Sequence, residues 1–321
     1  LPTLLTFLGY LGLLLVIGAV AFRQTHDLGD YLLGGRRLGP LATALSAGAS
    51  DMSGWLLLGL PGAVYVSGLS EAWIVIGLLA GAFCNWQWVA RPLRERTFAL
   101  DAVTLPDYLE ARFNDDSRLL RLASAIVILL FFAFYAAAGL VAGAKLFSTT
   151  FGMDYLTALF VGGLVIVAYT TVGGFLAVTW TDVVQGLLML LALVVVPLVM
   201  LADLGGAAAT MSALGGVSDR HLDLVPASLS ALGILSLLAW GLGYFGQPHV
   251  LVRFMAIASP ERMATAKWIG MSWMLVTTMA SVAVGLLGAA WFGVAGESLP
   301  AGDAEKVFIR ATQLLFNPWI A

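Results

Sequence analysis

The sequence predicts an all-α integral membrane protein built as an inverted repeat of five helices, with the second copy incomplete. Three observations carry this. The 321 residues are 60% hydrophobic and only 11% charged, with a mean hydropathy of +0.94, whereas soluble domains average about 25% charged residues. Apolar runs that meet the roughly 20-residue requirement of a spanning helix recur along the chain. Two of these runs, five apart in order, are interrupted by polar residues, glycines and proline. A β-barrel is excluded because the runs are continuously apolar rather than alternating. Helices then remain as the way to satisfy backbone groups in lipid.

Eight spans are expected in a single transmembrane domain covering 1–321, at 4–22, 41–66, 72–90, 119–149, 155–172, 178–202, 228–251 and 268–294. Span 1 has no Lys or Arg before it and no small-residue cleavage site after it, so it reads as a spanning helix rather than a signal peptide. Span 2 contains Ala47-Gly-Ala-Ser-Asp-Met-Ser-Gly-Trp55. An acid at membrane depth costs about 2.5–3.5 kcal/mol on insertion scales and is a functional-site hypothesis by default. Ser46, Ser50 and Ser53 share one helical stripe. That spacing also fits a helix-packing face, which leaves Asp51, Gly54 and Pro61-Gly62 unexplained. A break here would free backbone carbonyls, which together with hydroxyls are hard oxygen donors for a small cation.

Span 3 opens at Glu71, read as a first-turn charge, and holds Cys84, the one cysteine. Span 4 carries Tyr135 in a Phe-Phe-Ala-Phe-Tyr run, which by itself reads as lipid- or core-facing. Asp182 at the start of span 6 would complement a helix N-terminus. Span 7 contains Trp240-Gly-Leu-Gly-Tyr-Phe-Gly-Gln-Pro-His249. Proline inside a helix removes a hydrogen bond, at about 3 kcal/mol, so this is the second expected break. Trp240 and Tyr244 lie one α-turn apart and are expected to face one site; an aromatic packing cluster is the alternative. His249 reads as structural. Spans 2 and 7 are five helices apart, and an odd repeat must enter the membrane from opposite sides. Paired interruptions in such inverted repeats mark a midplane transport site.

Between spans, Leu105–Phe113 reads as a short amphipathic helix with Pro106 at its start, and 203–226 as a loop with partial helix. Residues 304–316 have helical apolar spacing and are expected as an external amphipathic helix. Sidedness follows from the basic residues. Arg23, Arg36, Arg37, Arg91, Arg94, Arg96, Arg112, Arg118, Arg121, Arg253, Arg262 and Lys267 are assigned to loops on one side. Arg220, Lys306 and Arg310 fall on the other, with Lys145 near it. The N-terminus is therefore expected outside. One cysteine allows no internal disulfide, no Cys/His pair has metal-ligand spacing, and no basic-aromatic run suggests nucleic acid. No nucleophile–base spacing suggests an enzyme. The apolar ends read as cut.

Several motifs resemble the sodium:solute symporter family, and chiefly its bacterial proline-transporting members. They are Leu33-Gly-Gly-Arg, Leu38-Gly-Pro, Ala44-Leu-Ser-Ala-Gly-Ala-Ser-Asp-Met-Ser-Gly-Trp, Gly59-Leu-Pro-Gly-Ala, Gly173-Gly-Phe-Leu-Ala-Val-Thr-Trp-Thr-Asp and Gly241-Leu-Gly-Tyr-Phe-Gly-Gln-Pro-His. The resemblance implies a leucine-transporter-like fold with an extra N-terminal helix. It implies sodium-coupled uptake of L-proline across a bacterial inner membrane, with the N-terminus periplasmic. By the same resemblance, Asp51 and the carbonyls of Ala49 and Met52 hold sodium. Ser53, Gly54 and Trp55 lie between ion and substrate, and Tyr135, Trp240, Tyr244 and Pro248 line the proline site. Arg36 and Asp182 serve coupling, although from sequence alone Arg36 is a topology determinant. The remaining sodium ligands are expected beyond Ala321. The alternatives are a transporter-like sensor domain of a histidine kinase, a symporter for another small amino acid or carboxylate, and a proton-coupled transporter in which Asp51 carries the proton.

Overall fold

The computed structural model describes residues 2–218, 221–297, 299 and 303–319, and over these it is helical with no strand. Arg220, expected among the outer basic residues, lies outside the described residues. The first helix, α1 (Pro2–Phe22), is apolar on all sides and buries only Leu14, Gly18 and Ala21. Short α2 (Leu28–Leu33), N-capped by Asp27, leads to α3 (Pro40–Met52) and α4 (Gly59–Ser67). Then come α5 (Ala72–Cys84) and α6 (Ala90–Ala99), joined without a loop through a π-helical segment, Asn85–Val89. Helix α7 (Leu105–Phe113) has a Thr104/Asp107 capping box and a first-turn proline, the start signal visible in the sequence.

Helices α8 (Leu119–Phe151) and α9 (Tyr155–Asp203) follow. The two spans expected at 155–172 and 178–202 follow one another without a loop, as two helical parts that meet at a kink at Gly174, φ 59° and ψ −157°. A side chain would be strained there. The remaining helices are α10 (Ala207–Val217), α11 (Ala231–Leu238), α12 (Pro248–Ala256), α13 (Met263–Ala295) and α14 (Val307–Leu315).

Five helical stretches among the described residues are long and apolar enough to cross a membrane: Pro2–Phe22, Gly59–Ala99, Leu119–Phe151, Tyr155–Asp203 and Pro260–Ala295. Helix α3 and the 231–256 stretch fall short because each is interrupted. One buried core joins α3, α4, α5, the lower half of α9, α12 and α13, with Leu56, Leu60, Val64, Leu193, Met200, Phe254 and Phe292 almost fully enclosed. Outside it, α8 buries only Ala144 and presents Leu and Phe outward.

Two expectations about basic residues are corrected. Arg91, Arg94 and Arg96 sit in α6 rather than a loop, since arginine is a good helix former. Arg94 is buried there, its Nε donating to the Ile257 carbonyl at 2.7 Å. Arg253 is likewise inside a helix, α12, and 5% exposed. One backbone clasp ties the two interrupted regions together. Leu38 N–H donates to Ala256 O at 3.1 Å, and Ala258 N–H returns a bond to Leu38 O at 2.9 Å. The start of α3 and the end of α12 are thereby held side by side.

Candidate functional site

The first break follows α3. Its C-cap, Ser53, has φ 41° and ψ −147°, a region that essentially only glycine adopts without strain. A 3-10 turn, Ser53–Leu56, then leads toward α4. The break therefore falls one residue before Gly54, and Pro61-Gly62 is not part of it. Pro61 sits in the first turn of α4, where proline is tolerated. Gly62 makes room for the 304–305 backbone, with Ala304 O only 3.0 Å from where a methyl would stand.

The last four carbonyls of a helix lack intrahelical partners, and its C-terminus carries the negative end of the macrodipole. In α3 these are the carbonyls of Ala49 to Met52. The Ala49 carbonyl accepts from Ser53 N–H, and the Ser50 carbonyl accepts from the Tyr135 hydroxyl. Ser281 of α13 donates to the Leu56 carbonyl at 2.7 Å. The gap is thus lined with oxygen donors and negative dipole, a setting suited to a small hard cation.

The second break is a 3-10 segment, Ala239–Phe245, between α11 and α12. Pro248 is not inside a helix but begins α12. At three residues per turn, Trp240 and Tyr244 point roughly 120° apart and take different partners in the first break. Trp240 is 52% exposed and stacks on Trp55 with ring centroids 5.7 Å apart. Tyr244 is buried, and its hydroxyl donates to Asp51 Oδ2. His249 Nε2 lies 3.6 Å from Asp51 Oδ1, and its ring stacks on Tyr135 at 4.8 Å. Asp51, Tyr135, Tyr244 and His249 therefore form one cluster joining α3, α8, the second break and α12.

Just before Asp51 along α3, at Ser46 and Ser50, lies a buried ion pair that sequence reasoning missed. Asp182 Oδ2 accepts from Ser46 Oγ at 2.6 Å, Ser50 Oγ at 2.8 Å and Arg253 Nη2 at 3.0 Å. Arg253 Nε also donates to Ser46 Oγ at 3.0 Å, and its Nη1 to the His249 carbonyl at 2.8 Å. Ser46 and Ser50, spaced as a packing stripe, are in fact the hydroxyls of this network. Each charge is compensated by several hydrogen bonds, the condition for a buried pair to be tolerated. The one available signal for Arg253 was its helical spacing from His249 after the helix-starting Pro248.

Of the other expected site residues, Met52 and Ala49 are buried beside the first break. Gly54 faces α8, where a methyl would meet Ala142 Cβ at 3.4 Å. Arg36 makes its contacts elsewhere. Its Nη2 donates to the carbonyls of Thr97 at 3.1 Å and Ala102 at 2.8 Å, and its guanidinium lies over Phe98 at 5.6 Å. Burial lowers its pKa, and Asp101 opposes that shift. Arg36 clasps the α6–α7 connection and bonds to no member of the Asp51 cluster among the described residues.

Comparison with known proteins places this arrangement. A solved sodium-coupled sialic acid symporter, captured substrate-bound and outward-open, superposes on 100% of this chain and 68% of its own, with a TM-score of 0.87 at 20% identity. That likeness shows the fold: all-helical and leucine-transporter-like. The Escherichia coli (strain K12) sodium/proline symporter is 51% identical over 325 aligned residues, covering 100% of this chain. The Bacillus subtilis (strain 168) high-affinity proline transporter PutP is 51% identical over 308 residues, 96% of this chain. The chain spans 64% of the length of each of these two relatives. Together with the apolar helices, these likenesses make it a multi-pass membrane protein. The sodium:solute symporter family model matches residues 31–321, a stretch holding both breaks and the Asp182–Arg253 ion pair, and the chain belongs to that family.

Proposed function

We propose that this chain carries the paired helix breaks of a symporter that imports L-proline with sodium across a bacterial inner membrane by alternating access. The observation that carries the reading is the hydrogen bond from Tyr244, in the second break, to Asp51, in the first. It couples the segment assigned to the substrate with the residue assigned to the ion. An ion that binds Asp51 changes the partner of Tyr244, and a substrate that orders Tyr244 changes the surroundings of Asp51. Linkage then requires each ligand to alter the other's affinity by the same factor.

In this reading sodium, the driving substrate, sits at the C-terminal end of α3 on the carbonyls of Ala49 and Met52, with Asp51 required for coupling. Ser53, Gly54 and Trp55 lie between ion and proline, while Tyr135, Trp240, Tyr244 and Pro248 line the proline site. The apolar ring of proline suits the aromatic groups, and its carboxylate suits exposed helix-end amides. Asp182 and Arg36 serve coupling, Asp182 through its pair with Arg253. The 1–321 region is one transporter domain with its N-terminus periplasmic and 304–316 on the outer face.

The test is radiolabelled proline uptake by the full-length protein in proteoliposomes, with sodium or with choline outside at fixed pH. Wild type is expected to accumulate proline only under a sodium gradient, and Asp51→Ala to abolish that uptake. Uptake that persists in choline would point to protons instead, and unchanged sodium dependence in Asp51→Ala would remove Asp51 from the site.

A further inference from the structure

The second break lies along a stripe on α5. Gly77, Gly81 and Asn85 are spaced four apart and meet Leu238, Gly241 and Tyr244, which are spaced three apart. A methyl at Gly77 would lie 2.4 Å from Leu238 O, and one at Gly81 would lie 2.0 Å from Gly241 O. The two backbones therefore touch directly. One turn on, Asn85 Nδ2 donates to the Tyr244 carbonyl at 2.9 Å.

The two spacings match for a geometric reason. Four residues of α-helix rise about 6.0 Å. Three residues of 3-10 helix also rise about 6.0 Å. Three residues of α-helix would rise only about 4.5 Å. Were 239–245 wound as an α-helix, the register would slip by about 1.5 Å per contact and about 3 Å by Tyr244. The Asn85 bond could not survive that slip.

Asn85 is itself unusual. It is 0% exposed in a span whose one other amide is Gln87, and its Oδ1 has no hydrogen-bond partner. A buried, half-satisfied amide is a liability that simple packing would not retain. It also opens the π-helical segment Asn85–Val89, and such bulges often occur at functional sites.

We infer that the Gly77–Gly81–Asn85 stripe is a template that holds the second break in its 3-10 winding, and that Asn85 is a positioning residue that sets Tyr244 against Asp51. The role given to Asn85 in transport rests on the proposed place of Tyr244 in the site; the template itself does not. Asn85 fixes the Tyr244 backbone, and the side chain on that backbone reaches the first break. A signal passing between the breaks thus depends on a third helix that belongs to neither.

Two measurements on the full-length protein test this. Hydrogen exchange in lipid nanodiscs, read on peptides covering 239–246, reports the template whatever the protein transports. Asn85→Ala is expected to speed exchange there about tenfold, the scale of one buried hydrogen bond, with α13 peptides unchanged. Unchanged exchange in 239–246, or an equal rise in every peptide, overturns the template. The second measurement is the sodium concentration for half-maximal proline uptake. Asn85→Ala is expected to raise it about tenfold alone but less than about twofold when Tyr244→Phe is already present. Equal factors in the two backgrounds overturn the positioning role. If Tyr244→Phe alone leaves uptake untouched while the exchange effect stands, the substrate-site reading fails and the template is upheld. Asn85→Val, which fills much of the space and carries no donor, repeats both measurements if Asn85→Ala does not fold.

Discussion

The two breaks perform the same geometric act and are held open by different means. The first is fixed by side chains arriving from other helices. Tyr135, Tyr244 and Ser281 engage its oxygens, and the Asp182–Arg253 pair braces α3 through Ser46 and Ser50 just before it. It also holds a non-glycine residue, Ser53, at positive φ. The second is fixed by main-chain proximity. Its glycines keep ordinary negative φ, and Gly241 serves to let α5 approach rather than to make a turn. Strained and charge-braced on one side, relaxed and backbone-packed on the other, the pair suggests unequal mobility. A break held by hydroxyls and charges can exchange those partners for an ion or a solute, whereas a break held by glycine contacts keeps its shape while its side chains work.

The largest expected effect comes from the brace of the first break. Removing one member of a buried ion pair leaves the other uncompensated, at about 3–5 kcal/mol. Asp182→Asn or Arg253→Met should lower the thermal midpoint in nanodiscs accordingly, and the double variant should recover part of the loss. A double variant as unstable as the sum of the singles would show that the two charges do not brace the break as a pair. Next comes the main-chain contact of the second break. A methyl on Gly241 would lie 2.0 Å from Gly77 O, whereas one on Gly243 meets only Gln247 Nε2 at 3.7 Å. Gly241→Ala should lose about 1–3 kcal/mol or more by overpacking, with Gly243→Ala close to neutral in the same unfolding assay. Equal losses would mean that glycine flexibility, not proximity, is what the second break needs.

Smaller effects separate the breaks further. Ser281→Ala should cost about 1 kcal/mol by freeing the Leu56 carbonyl, again by thermal unfolding, and a silent substitution would show that water replaces the hydroxyl. Ser53→Gly should instead stabilise the protein by about 1 kcal/mol through relief of backbone strain, while slowing proline uptake if the serine hydroxyl contacts solute or ion. Stabilisation without any change in uptake would make Ser53 a purely conformational residue.

The sequence showed the helices and the neighbourhood of both breaks, because charge deficit, apolar run length, glycine and proline are local signals. It misplaced what depends on partners. Arg94 and Arg253 were assigned to loops because lone basic residues usually mark topology, yet each is buried by partners far along the chain. The Asp182–Arg253 pair spans 71 positions and the Ser46–Arg253 bond spans 207. No periodicity encodes such meetings. Tyr135 was legible only through resemblance, since its marking contacts, the Ser50 carbonyl and the His249 ring, come from far along the chain. The divergence of Trp240 and Tyr244 was hidden because an α-helical period was assumed where the chain winds as 3-10. Asn85 gave a weak signal, one of two amides with Gln87 in an apolar span, that acquires meaning only beside Tyr244.

The clasp between Leu38 and the 256–258 backbone bears on how this protein can vary. Both of its bonds are main chain to main chain, so no ordinary side-chain replacement at either end deletes a donor or an acceptor. Proline is the exception, since it alone removes the amide hydrogen. The joint between the start of one interrupted helix and the end of the other is therefore largely invisible to alanine or cysteine scanning. It would surface in a proline scan, as sharp defects at positions 38 and 258.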